Sequence, residues 1–153
     1  MSIDIKIWGN HTWNFLHILA GKINPDKFLS EKNNIIDVIK KICRNLPCPE
    51  CSEHATSLLN RVDLNTINSK YDVELMLFYL HNNVNKKINL PVQDVSIINK
   101  YKNGNLIVAL NNIYQIYTKN SNSPKLMIQS LNRKQCINTI YKYIIDNTNK
   151  FII

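Results

Sequence analysis

The chain has 153 residues, 44% of them hydrophobic, with a formal net charge of +8 and a pI of about 9.4. That is apolar material enough for one compact core, and no apolar run approaches a membrane span. Only 3 glycines are present, fewer than turn-rich sheets need, so the composition leans towards helix, and the scattered lysines describe a solvated basic surface with no nucleic-acid site.

Residues Met1 to Ile7 carry no basic stretch followed by an apolar one, so no secretory signal is expected. The chain should then remain in a reducing compartment, where cysteine pairs serve redox or metal chemistry more often than stapling. After this lead, read as extended, Trp13, Leu16, His17 and Ala20 fall on one stripe of a first helix. Trp13 and His17 are i,i+4 neighbours and suit the wall of a flat ligand or an ordinary aromatic core contact. Pro25 ends this helix. Ser30, Asn33 and Asn34 offer start signals for the next, whose stripe Ile35, Ile36, Ile39, Ile42 and Cys43 runs to Asn45.

Leu46-Pro47-Cys48-Pro49-Glu50-Cys51 places two thiols one helical turn apart. Pro49 suits the first turn of a helix, which puts Cys48 at the N-cap, accessible, and Cys51 in the first turn, on an inward face with Ala55, Leu58 and Leu59. The helix N-terminus favours a thiolate, the reactive form in both nucleophilic and metal chemistry. His54, at i+3 from Cys51, either tunes it or faces solvent. A fourth helix from about Tyr71 carries Val73, Met76, Leu77, Leu80, Val84 and Ile88 as its core stripe, with His81 and Asn85 as polar neighbours beside it. Such groups need partners, supplied by a polar ligand or by water and backbone. Lys86 and Lys87 suit an anionic group or the helix dipole alone.

Pro91 closes that helix, and a short fifth runs from about Val95 to Tyr101. Leu106 to Tyr117 reads as helix or strand. Leu131 to Asp146 is helical, with Ile137, Ile140, Tyr141 and Ile144 on one side. The expected fold is all-α: a four-helix bundle with a short fifth helix over residues 1–101, then a mostly helical C-terminal extension over 102–153, packed on the bundle or on a partner.

Two chemistries compete for the cysteine pair. Cys43, Cys48, Cys51 and His54 make a possible zinc set for a non-enzymatic binding module, although repeated ligand pairs are missing. The second comes from resemblance. Trp8-Gly9 with Trp13 and Leu16-His17, then Pro47-Cys48-Pro49-Glu50-Cys51, then His81-Asn82-Asn83-Val84-Asn85, in this order and at these separations, resemble the Erv/ALR family of FAD-linked sulfhydryl oxidases over roughly residues 8–101.

The resemblance implies a dimeric helical bundle that holds FAD beside the disulfide and oxidises protein thiols, passing electrons to oxygen to give hydrogen peroxide. Cys48 resembles the substrate-facing cysteine and Cys51 the flavin-proximal one. Gly9, Thr12, Trp13 and His17 match the first flavin-binding stretch; His81, Asn82, Val84 and Asn85 match the second. Lys86 and Lys87 would lie near phosphate, and Tyr101 would stand for a further aromatic residue. The structural bridge of many members is missing, its places being Phe78 and Val95, where apolar packing must substitute. Cys43 and Cys136 remain, expected as two reduced, buried thiols, with a disulfide between them or an intermolecular one as the alternatives. Short members without bridge or shuttle cysteines resemble those of large cytoplasmic DNA viruses, which implies disulfide formation for virion proteins in the host cytoplasm, with packaging in the virion.

Overall fold

The computed structural model describes residues 4–120 and 123–153. Among these residues it is helical with no strand: α1 (Ile5–Lys22), α2 (Phe28–Arg44), α3 (Pro49–Asn60), α4 (Lys70–Lys87), α5 (Ile97–Lys102), α6 (Leu106–Tyr117) and α7 (Pro124–Asp146). The all-α expectation is met, and among the described residues no helix is long and apolar enough to cross a membrane.

The starts follow local chemistry. Asp4 accepts from the Lys6 amide at 2.8 Å and begins α1 three residues before Trp8, so the part of the lead from Ile5 to Ile7 is helical and not extended; Met1 to Ile3 lie outside the described residues. Phe28, not the Ser30 to Asn34 cluster, starts α2, because a 3₁₀ turn at Pro25–Lys27 leads straight into it. Ser69 and Asp72 form a reciprocal capping box at α4.

The end of α4 is set by Asn89, not Pro91. Its φ of 58° is the left-handed conformation that asparagine tolerates, and the Leu90 amide donates back to the Asn85 carbonyl at 2.8 Å. The bridge position fares unevenly: Phe78 is buried, whereas Val95 is exposed, so the expected apolar substitute is only half formed. The segment is held instead by amide pairing. The Asn82 side chain donates to the Gln93 carbonyl at 3.0 Å and accepts from the Gln93 amide at 2.8 Å, while the Asn85 amide donates to the Pro91 carbonyl at 3.1 Å.

Helix α1 lies in the middle, packed against α4, α5 and α6 and more lightly on α2. Phe15, Leu16, Leu19 and Ala20 are fully buried, so both faces of α1 need covering, the mark of a helix that is apolar all round. The segment from Leu106 to Tyr117, which reads equally as strand, is the helix that covers the second face. Tyr117 is fully buried and its hydroxyl shares a hydrogen bond of 3.1 Å with Thr12 of α1.

The chain end is pinned to the same core. Ile23 and Phe151 form an antiparallel bridge, the Asn24 amide donates to the Lys150 carbonyl, and the Ile152 amide donates to the Lys22 carbonyl. Lys150 and the Tyr143 hydroxyl both donate to the buried Glu31 carboxylate, at 2.6 and 2.7 Å. These hydrogen bonds hold the Glu31 carboxyl down at about 2.

Candidate active site

Cys48 is the N-cap of α3 and Pro49 its first helical residue, as the proline spacing requires. Cys48 and Cys51 are joined as a disulfide with Cα atoms 5.2 Å apart. The Cys48 sulfur also accepts from the Cys51 amide at 3.2 Å, one of the free donors of the first turn. Cys51 is 8% exposed and Cys48 is half-buried at the surface, giving the pair an inner and an outer sulfur.

Ser52 steadies this loop, a role not evident in the sequence. Its hydroxyl accepts from the Leu46 amide at 2.9 Å and donates to the Leu46 carbonyl at 3.4 Å. The signal was available, since a serine in the first turn of a helix reaches preceding backbone readily.

Behind Cys51 lies a cavity of about 180 Å³ bounded by α1, α2, α3 and α4. It brings together Gly9, Thr12, Trp13, Cys51, His81, Val84 and Asn85 from the expected site, with Cys43, Leu46 and Leu16 as further wall. Gly9 is the informative member. It is buried in a helix, where glycine costs about 1 kcal/mol against alanine, yet nothing lies within 4 Å of where its Cβ would be. The glycine leaves room for something other than protein.

One wall is aromatic. Trp13 stacks on His81 with ring centroids 4.2 Å apart and planes 10° apart, and His17 stacks on Tyr101 at 4.3 Å and 8°. His17 Nε2 and His81 Nδ1 are 3.0 Å apart, so one ring donates to the other and the two pairs become a single array. Burial, and for His17 also the charge of His81, lowers these imidazoles to about 3 and about 4. Both are therefore neutral at physiological pH, which permits their shared hydrogen bond.

Other expected residues stand apart from the cavity. His17 and Tyr101 form the layer behind its wall; Asn82 is engaged with Gln93; Lys86 and Lys87 are exposed on the last turn of α4. Asn85 lines the cavity, but its amide partner is backbone. His54 neither joins the cysteines nor faces solvent: it is half-buried against α4, beside Lys87 and Asn83.

The zinc set does not assemble. Cys48 and Cys51 spend their sulfurs on each other, Cys43 is a buried free thiol that burial pushes up to about 12, and no group of three potential ligands converges among the described residues.

Flat aromatic walls, an apolar interior, open space over a buried glycine and a disulfide sulfur on one side suit a planar redox ring system. At about 180 Å³ the cavity is smaller than the roughly 300 Å³ and upward of pockets that enclose a whole drug-sized ligand, so it has room for only part of a large cofactor. Fold and site thus define a helical-bundle protein with a redox disulfide set against a cofactor cavity. Comparison with known proteins agrees: the profile of the Erv1 / Alr family matches residues 10–103, and the chain belongs to that family.

Among relatives, an Invertebrate iridescent virus 3 protein named as a FAD-linked sulfhydryl oxidase is 38% identical over 92 residues, covering 60% of this chain and 62% of the relative. The FAD-linked sulfhydryl oxidase of African swine fever virus (isolate Tick/Malawi/Lil 20-1/1983) is 35% identical over 96 residues, covering 63% and 77%. That of Arabidopsis thaliana, ERV1, is 29% identical over 80 residues, covering 52% and 41%. The chain thus spans less than two thirds of the iridescent virus relative. No solved structure gives a significant match.

Proposed function

We propose that this chain is a FAD-dependent thiol oxidase that forms disulfides in protein substrates. The observation that carries it is the Cys48–Cys51 disulfide at a helix N-terminus with its inner sulfur on the wall of the cavity that Gly9 leaves open. The names of the viral and plant relatives support the same activity.

The protein's part follows from thiol exchange. A substrate thiolate attacks the outer Cys48 sulfur, the disulfide breaks, and Cys51 leaves as a thiolate, stabilised by the free amides of the first turn of α3. A second substrate thiolate attacks the substrate sulfur of the mixed disulfide, releasing oxidised substrate and the Cys48 thiolate. Two electrons then reside on the dithiol. FAD, when bound, supplies acceptance of these electrons and their transfer to molecular oxygen, giving hydrogen peroxide.

Gly9, Thr12, Trp13, His81, Val84 and Asn85 would hold the cofactor, with His17 and Tyr101 bracing the aromatic wall and Asn82 the adjoining loop. Lys86 and Lys87 are assigned to the anionic part of the cofactor from the family pattern. Residues 1–101 are assigned as the catalytic unit and 102–153 as an extension. A homodimer, action in the host cytoplasm and packaging in the virion extend the reading from the viral relatives. Sedimentation and fractionation of purified particles test them.

The decisive measurement is spectroscopic. Purified protein should show a flavin absorbance band and consume oxygen when given a dithiol; protein that is colourless and takes up no added FAD ends the proposal.

A further inference from the structure

Beside the disulfide, on the side away from the cofactor cavity, the last turn of α2, the start of α3 and the N-terminal half of α7 enclose a polar furrow of about 180 Å³. Leu46 and Pro49 in its wall flank Pro47 and Cys48 along the chain, so the furrow runs beside the loop that carries the outer sulfur. Its charged walls are Arg44, which is exposed, and Arg133, which is 6% exposed; no carboxylate lines it.

Arg133 is the anomaly. Its Nε is buried without a hydrogen-bond partner, and the side chain makes no hydrogen bond or ion pair to any described residue. A guanidinium stays charged in proteins, and a buried charge is normally paired. Of the buried carboxylates, Glu31 is held by Lys150 at 2.6 Å, while Glu74 has no hydrogen-bond partner among the described residues but faces the Lys102 ammonium at 3.9 Å. Arg133 thus lines the furrow as a desolvated cation for which the described residues supply no anion.

Arg44 and Ser52 also line a second, more open furrow of about 560 Å³ that runs along α3 to Arg61, with Glu53 the single acidic residue in its wall. The two share Arg44 and Ser52 and so make one path beside the disulfide loop, marked by Arg133, Arg44 and Arg61 on a chain of net charge +8.

We propose that this path docks an acidic segment flanking the reactive cysteine of the protein substrate, with Arg133 and Arg44 pairing its carboxylates. The inference rests on the thiol-oxidase reading and names the substrate class for that site. Guanidinium suits the task because its fixed fork of donors matches a carboxylate bidentately. Arg133 belongs to α7, outside the residues 10–103 that match the family, so the extension adds a buried cation to the Arg44 side of the path, which the shared bundle supplies. It gives residues 102–153 a role that the bundle alone leaves unassigned.

The test uses the full chain with its flavin and two fluorescent peptides in which serine replaces the target cysteine, one flanked by aspartate and glutamate, the other by lysine. Fluorescence anisotropy should show binding of the acidic peptide only, weakening as salt is raised. Arg44→Glu should weaken it by about tenfold or more, as removal of a docked charge pair does. Arg133→Gln should do the same, with circular dichroism confirming that the variant folds; if it does not fold, the exposed Arg44 decides.

Equal binding of the two peptides, no binding of either, or an unchanged affinity in Arg44→Glu overturns the proposal. Because the peptides cannot turn over, the two readings fail separately. A protein that binds the acidic peptide yet takes up no oxygen with dithiol sinks the oxidase reading, whereas an active oxidase indifferent to peptide charge sinks this one.

Discussion

The two faces of α1 are both buried, but they are buried for different purposes. On the cavity side, Gly9 has nothing within 4 Å of a built Cβ, Trp13 stands over open space, and Cys51 sits across from them. On the extension side, a Cβ on Gly104 would fall 2.4 Å from Ile18, Tyr117 is fully enclosed, and the nearby thiol of Cys136 is pushed up to about 11 by burial. The same residue type, glycine or cysteine, does opposite things on the two sides. Buried surface near α1 is chemically active only where packing was left incomplete and a helix N-terminus is at hand.

The largest test of this contrast is at the sulfurs. Cys48→Ser or Cys51→Ser should bring thiol-driven oxygen uptake to background, because neither half of the exchange can then occur, while Cys136→Ser should retain it. An inactive Cys136→Ser protein of normal fold would make the extension-side thiol part of the relay and erase the distinction.

Next in size is Gly104→Ala, which should destabilise the protein by about 1–3 kcal/mol in denaturant unfolding, the usual cost of overpacking against a buried side chain such as Ile18. A neutral result would mean that the extension side is as loosely filled as the cavity side.

Acid should weaken the cavity side first. His17 and His81 are held near 3 and near 4 when folded against 6.5 ordinarily, so between these values the unfolded chain binds protons that the native one refuses. Their contribution is complete above about pH 6.5 and is lost progressively as pH falls through the folded values. Glu31 acts later, in the window from 4.5 down to about 2. The melting temperature should therefore drop by several degrees between about pH 7 and pH 5, a range that belongs to histidine. A flat profile there would mean that the array is solvated.

The smallest effect is the most discriminating. Gly9→Ala gains up to about 1 kcal/mol of helix propensity and meets no neighbour, so the flavin-free protein should melt at the same or a higher temperature. FAD retention, read from the flavin absorbance after gel filtration, should fall. Unchanged retention would show that the space over Gly9 holds no cofactor.

Much of the cavity side was legible in the residues. A proline after a cysteine declares a helix start, so the outer and inner sulfurs follow from local rules, and the pairing of Trp13 with His17 follows from i,i+4 geometry. The asparagines of α4 were harder. Spacing shows that Asn85 needs a partner and the resemblance singles out Asn82, but backbone at Pro91 and Gln93 engages them, and no local pattern says which carbonyl a loop will bring back. The helix from Leu106 to Tyr117 was ambiguous because it opens on five apolar residues in a row, which have no period of their own, although the positions it buries, Leu106, Ala109, Leu110, Ile113, Ile116 and Tyr117, are helically spaced.

By itself, then, the sequence determined the helical architecture and the inner and outer placing of Cys48 and Cys51 at the start of α3, since these depend on interactions spanning one or two turns. The tertiary structure decided what long-range packing controls. It closed α6 over the second face of α1, joined His17 to His81 across 64 residues, and left Arg133 Nε buried in the wall of a polar furrow without a hydrogen-bond partner among the described residues. A residue's neighbours along the chain set its conformation; its neighbours in space set whether it is packed, paired or left open to a ligand.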